Sequence, residues 1–213
     1  MIKPQIKNLV SDRLRVGVTF FWGISIKDEN ELHFYIKNKV TGLLESHSLQ
    51  MPLGFSFSRQ LYRAFSVDPT KHRPSSEALW RRVKKGLDFP LVNPFVDLTN
   101  LLSLKYQVPY GLYDLDKIEG DIEIAQGGEG ETYQGIRKDI VALDGKILIR
   151  DARGPFGNPS SDSLRTCTTG ETVNLLQVIF FHKEDPLKEE ILSETYRQFL
   201  NFFTMADSNS YLL

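Results

Sequence analysis

The feature that most restricts the fold is a change of hydrophobic period along the chain. Leu14, Val16, Val18 and Phe20 alternate with their neighbours, the two-residue repeat of a strand with one buried face. Leu32, Ile36, Val40 and then Leu43 or Leu44 recur at helical spacing instead, behind Asp28 and Glu29, whose charge suits a helix N-terminus. A second helix is expected over residues 55–65, ended by Asp68-Pro69 because the residue before a proline avoids helical geometry. A third follows a basic loop. Ser75 or Ser76 can cap it, Glu77 favours its dipole, Leu79 and Val83 face inward, and Lys84, Lys85 and Gly86 end it. The period then becomes that of strands, at residues 118–125, 140–143, 147–150 and 175–182, with Asp144-Gly145 as the signal of a tight hairpin. A closing helix from Leu187 to about Phe203 carries Ile191, Leu192 and Phe199 along one face. Helices early, strands late and a final helix give an α+β fold.

A chain of 213 residues, 41% of them hydrophobic, can bury one sizeable core. The formal charge of −1 argues against coating nucleic acid through the overall field. The charge is nevertheless segregated: Arg59, Arg63, Lys71, Arg73, Arg81, Arg82, Lys84 and Lys85 face only Asp68 and Glu77, whereas residues 114–144 are mostly acidic. That is either two solvated faces or a phosphate-binding surface whose binding weakens with salt. One cysteine, Cys167, excludes an intramolecular disulfide framework and any cysteine-based zinc cluster, so a reducing, cytoplasmic location is the default expectation. The opening MIKPQIKNLV is too polar for a secretory signal, and no stretch approaches the roughly 18 apolar residues of a membrane span. The last residues, ADSNSYLL, read as a loose tail.

Familiar ligand motifs fail on inspection. DLDKIEGDIE begins like a calcium loop but has Ile118 and Glu119 where an acid or amide and then glycine are required. GGEGETYQG lacks the dinucleotide spacing and fits turn chemistry better. His33, His47, His72 and His182 show no metal-ligand spacing and suit surface or capping roles, so no metal and no cofactor are expected. Two segments do suggest a site. In NPFVDLTNLLSLKYQVPYGLYD, residues 93–114, Asp97, Thr99 and Asn100 interrupt apolar runs read as a short strand or turn and a following helical turn. Buried polar groups left unpaired cost about 1–3 kcal/mol each, so these residues either pair within the fold or serve a ligand. Residues 150–170 lack apolar periodicity and gather Gly154, Pro155, Gly157 and Pro159 ahead of Ser160, Ser161 and Asp162. Glycine admits close backbone approach and proline limits the entropy of ordering, so the loop is either a rigid crossover or a ligand cradle. A serine nucleophile is poorly supported, since no histidine lies nearby.

VNPFVDLTN (92–100), VPYGLYDLDKIEG (108–120), GETY (130–133), LDGKILIRDARG (143–154) and the GNPSSDS loop (157–163), in that order and spacing, resemble the B3/B4 module of the phenylalanyl-tRNA synthetase β subunit. The resemblance covers about residues 62–182, and the basic helix SSEALWRRVKKGL is similar to the one before that family's first box. It implies an α+β domain with a sandwich-like mixed β-sheet core and flanking helices. One domain over 1–213 is expected, with a strand-helix start (1–58), a core (59–182) and a C-terminal helix (186–204). In the synthetase the module holds an editing pocket where misattached tyrosine is hydrolysed from its tRNA. By resemblance Thr99 and Asn100 match the threonine and asparagine lining that pocket, and Asp162 falls near its glutamate. Gly111 stands where the family has histidine, and Gly157-Asn158-Pro159 replaces its tandem glycine. The other domains of that subunit are not recognised, so a freestanding relative rather than a synthetase subunit is implied.

Two functions follow. One is a tRNA-binding protein that hydrolyses misacylated aminoacyl-tRNA in trans. Thr99, Asn100 or Asp162 would hold the water and the glycine loop's N–H groups would face the oxyanion. The other is a module that binds an amino acid, a tRNA end or a related small ligand without turnover. Arg81, Arg82, Lys84 and Lys85 would contact phosphates, and Asp97, Asn100, Gly111, Gly154, Gly157, Ser161 and Asp162 would form the pocket.

Overall fold

The computed structural model describes residues 3–46, 55–137 and 139–213. Strands β1 (Ile6–Asn8), β2 (Leu14–Trp22) and β3 (Ser25–Ile26) come first, then helices α1 (Glu29–Ser46), α2 (Phe55–Ala64), α3 (Ser75–Lys84) and α4 (Pro94–Tyr106). Strands follow: β4 (Tyr110–Asp114), β5 (Ile122–Gln126), β6 (Thr132–Gln134), β7 (Ile140–Ala142), β8 (Ile147–Asp151), β9 (Gly154–Asn158), β10 (Ser161–Asp162) and β11 (Asn174–His182). Helix α5 (Lys188–Phe202) and strands β12 (Phe203–Thr204) and β13 (Asp207–Leu212) complete the α+β order.

Two large sheets and a helical layer result, with the two-stranded pairs β12-β3 and β6-β7 beside them. The central sheet runs β13-β2-β11-β4, all antiparallel, and the outer sheet β1-β5-β8-β9-β10 is mixed, with β1 parallel to β5. Alternation along β2 and β11 sorts their side chains between two cores. Val16, Val18, Phe20, Leu176, Val178 and Phe180 pack with Ile122, Ile124, Ile147, Ile149 and Phe156 of the outer sheet. Phe21, Leu175, Ile179 and Phe181 pack against the helices through residues such as Leu32, Ile36, Leu98, Leu102 and Phe199. The central sheet is thus buried on both faces.

Four sequence expectations are corrected. The segment read as a turn and a helical turn is one 13-residue helix, α4, capped by the Asn93 side chain, which accepts from the Val96 N–H, with Pro94 in the first turn. Its apolar residues do not form a single stripe because it packs against α1, α3, α5 and β4, and a helix apolar all round carries little periodic signal. Asp144-Gly145 makes its turn, with Gly145 at φ 70° and Lys146 N–H bonded to Leu143 O, but the flanking strands do not pair with each other: β7 pairs with β6, and β8 with β5 and β9. The polar tail becomes β13, held along β2 by ladder bonds and by Ser210–Thr19 and Tyr196–Ser208 hydroxyl pairs. Pro74, not a serine, occupies the N-cap of α3, and no side chain caps it. His47 lies outside the described residues.

Candidate functional site

A cavity of about 280 Å³ opens where the β4 edge of the central sheet meets β10 of the outer one. Val96, Thr99, Asn100 and Ser103 of α4 form one wall because they recur at three- and four-residue spacing on one helical face. Tyr110 and Leu112 of β4 form its floor, and the turn Ser160–Asp162 faces α4 across it. Ser75 and Leu79 of α3 close one side, and Ser75 Oγ has no hydrogen-bond partner.

Thr99, Asn100, Asp162 and Ser161 therefore share this cavity. Thr99 is buried and accepts from Gln177 Nε2 at 3.3 Å, which leaves Gln177 Oε1 without a partner. Asn100 is half-buried, and its amide makes no side-chain hydrogen bond to another described residue. Asp162 is partly buried, and its Oδ1, shut off from solvent, has no partner. Burial pushes its carboxyl up to about 7, although the neighbouring Tyr113 hydroxyl and Leu112 amide favour the charged form. A raised folded-state value means that the protonated form contributes stability below the ordinary carboxylate range, and that this contribution is lost as pH rises through about 7. Thermal melts of the wild type and Asp162→Asn are expected to converge at acid pH and to separate above pH 7, with the variant the more stable.

Other expected site residues lie elsewhere. Asp97 is buried outside the cavity lining. It accepts the Val92 N–H at 2.6 Å and stands 3.5 Å from His33 Nε2, fixing the turn into α4, and burial holds its carboxyl above the usual range. Gly111 is also absent from the lining, because alternation along β4 turns Tyr110 and Leu112 to the cavity and residues 111 and 113 toward the other sheet. There the Tyr113 ring fills the space: a Cβ at Gly111 would lie 2.1 Å from the Tyr113 hydroxyl, and one at Gly157 2.2 Å from it. Two glycine backbones thus admit one phenol, whose unpartnered hydroxyl lies in the field of Asp162. Gly154, at φ 112°, sits at the far end of β9, where its carbonyl accepts from Arg165.

The glycine loop is a strand followed by a tied turn. Asn158 Oδ1 accepts the N–H groups of Ser160 and Ser161, at 2.7 and 3.1 Å, so these amides are not free to face an oxyanion. Tyr62 pairs with Ser160 Oγ at 2.5 Å and Tyr133 donates to Ser161 O, which fixes the turn from two sides.

The basic helix is partly consumed by the fold. Glu77, fully buried, takes two hydrogen bonds from Arg59, both at 2.8 Å, and one from Arg81 at 2.9 Å, with Arg73 at 3.8 Å. Arg82 donates to Asp88 O, Lys84 lies 4.6 Å over the Trp80 ring, and Lys85 is exposed at the helix end. None of these six cations lines the cavity. Tyr113 and Gln177 were not among the expected residues. Gln177 carries the signal used for Thr99, a polar residue inside an apolar run, whereas Tyr113 gives none, because its partners are glycines on two different strands. Among the described residues no three His, Cys, Asp or Glu side chains stand close enough to share a metal ion, and no helix is long and apolar enough to cross a membrane.

Comparison with known proteins shows which family the sequence resembles. A family model described as the B3/4 domain matches residues 58–188. The chain is 31% identical over 89 residues to the phenylalanine–tRNA ligase beta subunit of Nitrobacter winogradskyi, a match covering 41% of this chain and 11% of that protein. It is 30% identical over 111 residues to the same subunit of Bartonella henselae, covering 50% and 14%. The matched region is thus a small part of those relatives. Among solved structures, an N-terminal fragment of the phenylalanyl-tRNA synthetase beta-subunit from Pyrococcus horikoshii is matched over all of this chain and 52% of that one, at 12% identity and a TM-score of 0.44.

Proposed function

From a chain that belongs to the B3/4 domain family, we propose a tRNA-linked module that takes the aminoacylated end of tRNA with its amino acid in the 280 Å³ cavity, and that hydrolyses the ester there. The observation that carries this reading is the meeting of Thr99, Asn100 and Asp162, from α4 and β10, around one space, with the Asp162 Oδ1 unpartnered. Asp162, poised near neutral pH, takes a proton from water as the oxygen attacks the ester carbonyl. The Asn100 amide, free of other partners, faces the oxyanion in place of the tied loop amides. The C–O bond to the ribose breaks, and the ribose oxygen leaves with the proton, giving free amino acid and tRNA.

With a panel of mischarged tRNAs, the intact protein is expected to release amino acid at a rate rising through about pH 7. Asp162→Asn should flatten that profile and slow release by about a hundredfold, and Asn100→Ala should slow release without changing the profile. Neutralising Arg82 and Lys85, which stand outside the Glu77 cluster, should reduce the salt slope of tRNA binding if α3 faces the phosphates. A second reading is a holder of the amino acid or tRNA end without turnover, favoured because none of the described residues lining the cavity is a histidine. Saturable binding with no release from any tRNA would select it.

A further inference from the structure

Asp162 Oδ1 and the Tyr113 hydroxyl are both shut off from solvent, and neither has a hydrogen-bond partner among the described residues. A glycine brings them together. In the β9–β10 ladder Asp162 stands opposite Gly157, and side chains of ladder partners point to the same face of a sheet. The Tyr113 hydroxyl lies 2.2 Å from where a Cβ on Gly157 would be, so it fills the space beside the Asp162 side chain. The phenol reaches that carboxyl from the core between the two large sheets, whereas the cavity reaches it from the α4 side. The other titratable groups near Asp162 are Tyr133 of β6, whose hydroxyl is committed to Ser161 O, and Tyr110 and Cys167 of the cavity lining. No lysine, arginine, histidine or glutamate is among the described lining residues, so no cation of the lining competes for the carboxylate.

We propose that Tyr113 is a positioning residue for the hydrolysis argued above: its hydroxyl donates to Asp162 Oδ1 when that carboxyl ionises, and holds the carboxylate with its second oxygen toward the water in the cavity. The inference rests on the hydrolytic reading for its effect on turnover, and on the buried pair for its geometry. An ionised carboxylate taken out of water needs donors. The Leu112 amide supplies one and the phenol the other, and together they oppose the burial that raises the group to about 7. The phenol keeps its own proton, because burial first and the neighbouring carboxylate second raise it well above the ordinary range for tyrosine. The proton taken from water therefore stays on Asp162 until the ribose oxygen leaves with it, and Tyr113 never touches substrate. Gly111 and Gly157 belong to the same device, since each clears space through which one hydroxyl reaches one carboxyl.

The test is Tyr113→Phe, which keeps the ring between the two glycines and deletes the hydroxyl. Carboxyl-carbon NMR of Asp162 follows its titration in the intact protein with no substrate present. The midpoint, about 7 in the wild type, is expected to rise by about one pH unit in Tyr113→Phe. A carbon label at Tyr113 Cζ in the wild type should titrate with the same midpoint. Because the hydroxyl favours the charged form, its loss should cost stability as pH rises through about 7 and little at acid pH. In the Asp162→Asn background that cost should not vary with pH. With mischarged tRNA, release at the wild-type midpoint should fall about fivefold, the share of ionised carboxylate that a one-unit rise removes, and recover at more alkaline pH. An unchanged Asp162 midpoint in Tyr113→Phe overturns the positioning role, whether or not the protein hydrolyses anything. A raised midpoint with no release from any tRNA by the wild type sustains the Tyr113–Asp162 pair while the hydrolytic reading fails. If Tyr113→Phe does not fold, the wild-type label decides: a Tyr113 carbon that titrates with Asp162 supports the pair, and one that does not overturns it.

Discussion

Gly111→Ala is expected to destabilise the protein by about 3 kcal/mol, a large effect for one methyl group. The added Cβ would lie 2.1 Å from the Tyr113 hydroxyl and 2.6 Å from its ring carbon Cζ. The ring cannot retreat, because Gly157 approaches it as closely from β9 and Phe156 packs edge-on against it at 5.0 Å between centroids. Urea denaturation measures the loss, and a double-variant cycle assigns its cause. With Tyr113→Leu in the background, adding Gly111→Ala should cost under about 1 kcal/mol, since the collision partner is gone. An equal cost in both backgrounds would mean that Tyr113 is not the obstacle. The same geometry bears on the histidine that the synthetase resemblance places at this position: a side chain here would have to displace a buried phenol, so Gly111→His is expected to unfold the chain rather than to supply a catalytic group.

Glu77→Ala should cost about 3–5 kcal/mol, the usual penalty for removing one partner of a buried ion cluster. Glu77 is fully buried, and its loss leaves Arg59, Arg81 and Arg73 gathered around an empty centre between α2 and α3. Burial works to raise its carboxyl, and the hydrogen bonds from Arg59 and Arg81 outweigh it, holding the group below the usual range. With the folded value below the unfolded one, the cluster's contribution is present above the ordinary carboxylate range and is lost as pH falls through it. Urea midpoints at pH 7 and at acid pH should therefore differ more for the wild type than for Glu77→Gln. Unchanged stability of Glu77→Ala at pH 7 would show that the cluster is not closed as described.

The elements that packing treats simply were the ones legible in the sequence. β2 buries its residues in strict alternation toward two cores, and α1 buries Leu32, Ile36 and Val40 one turn apart, so their periods survive in the order of residues. α4 and β13 did not announce themselves, for opposite reasons. α4 is enclosed on too many sides to keep one stripe, and β13 is a polar segment whose strand conformation comes from the open edge of β2 beside it. For the site, the apolar interruptions and the family-like series pointed to Thr99, Asn100 and Asp162 without showing that they meet.

The sequence by itself determined the α+β order and its family, because hydrophobic period and spaced motifs are written in one dimension. Only the tertiary structure decided which of the marked residues share a space. Alternation on β4 sends position 111 away from the cavity, the buried charge of Glu77 draws Arg81 into the fold, and the Asn158 turn holds one wall of that cavity. Each of these depends on which face of an element meets which neighbour, and that is fixed by packing between segments far apart in the chain.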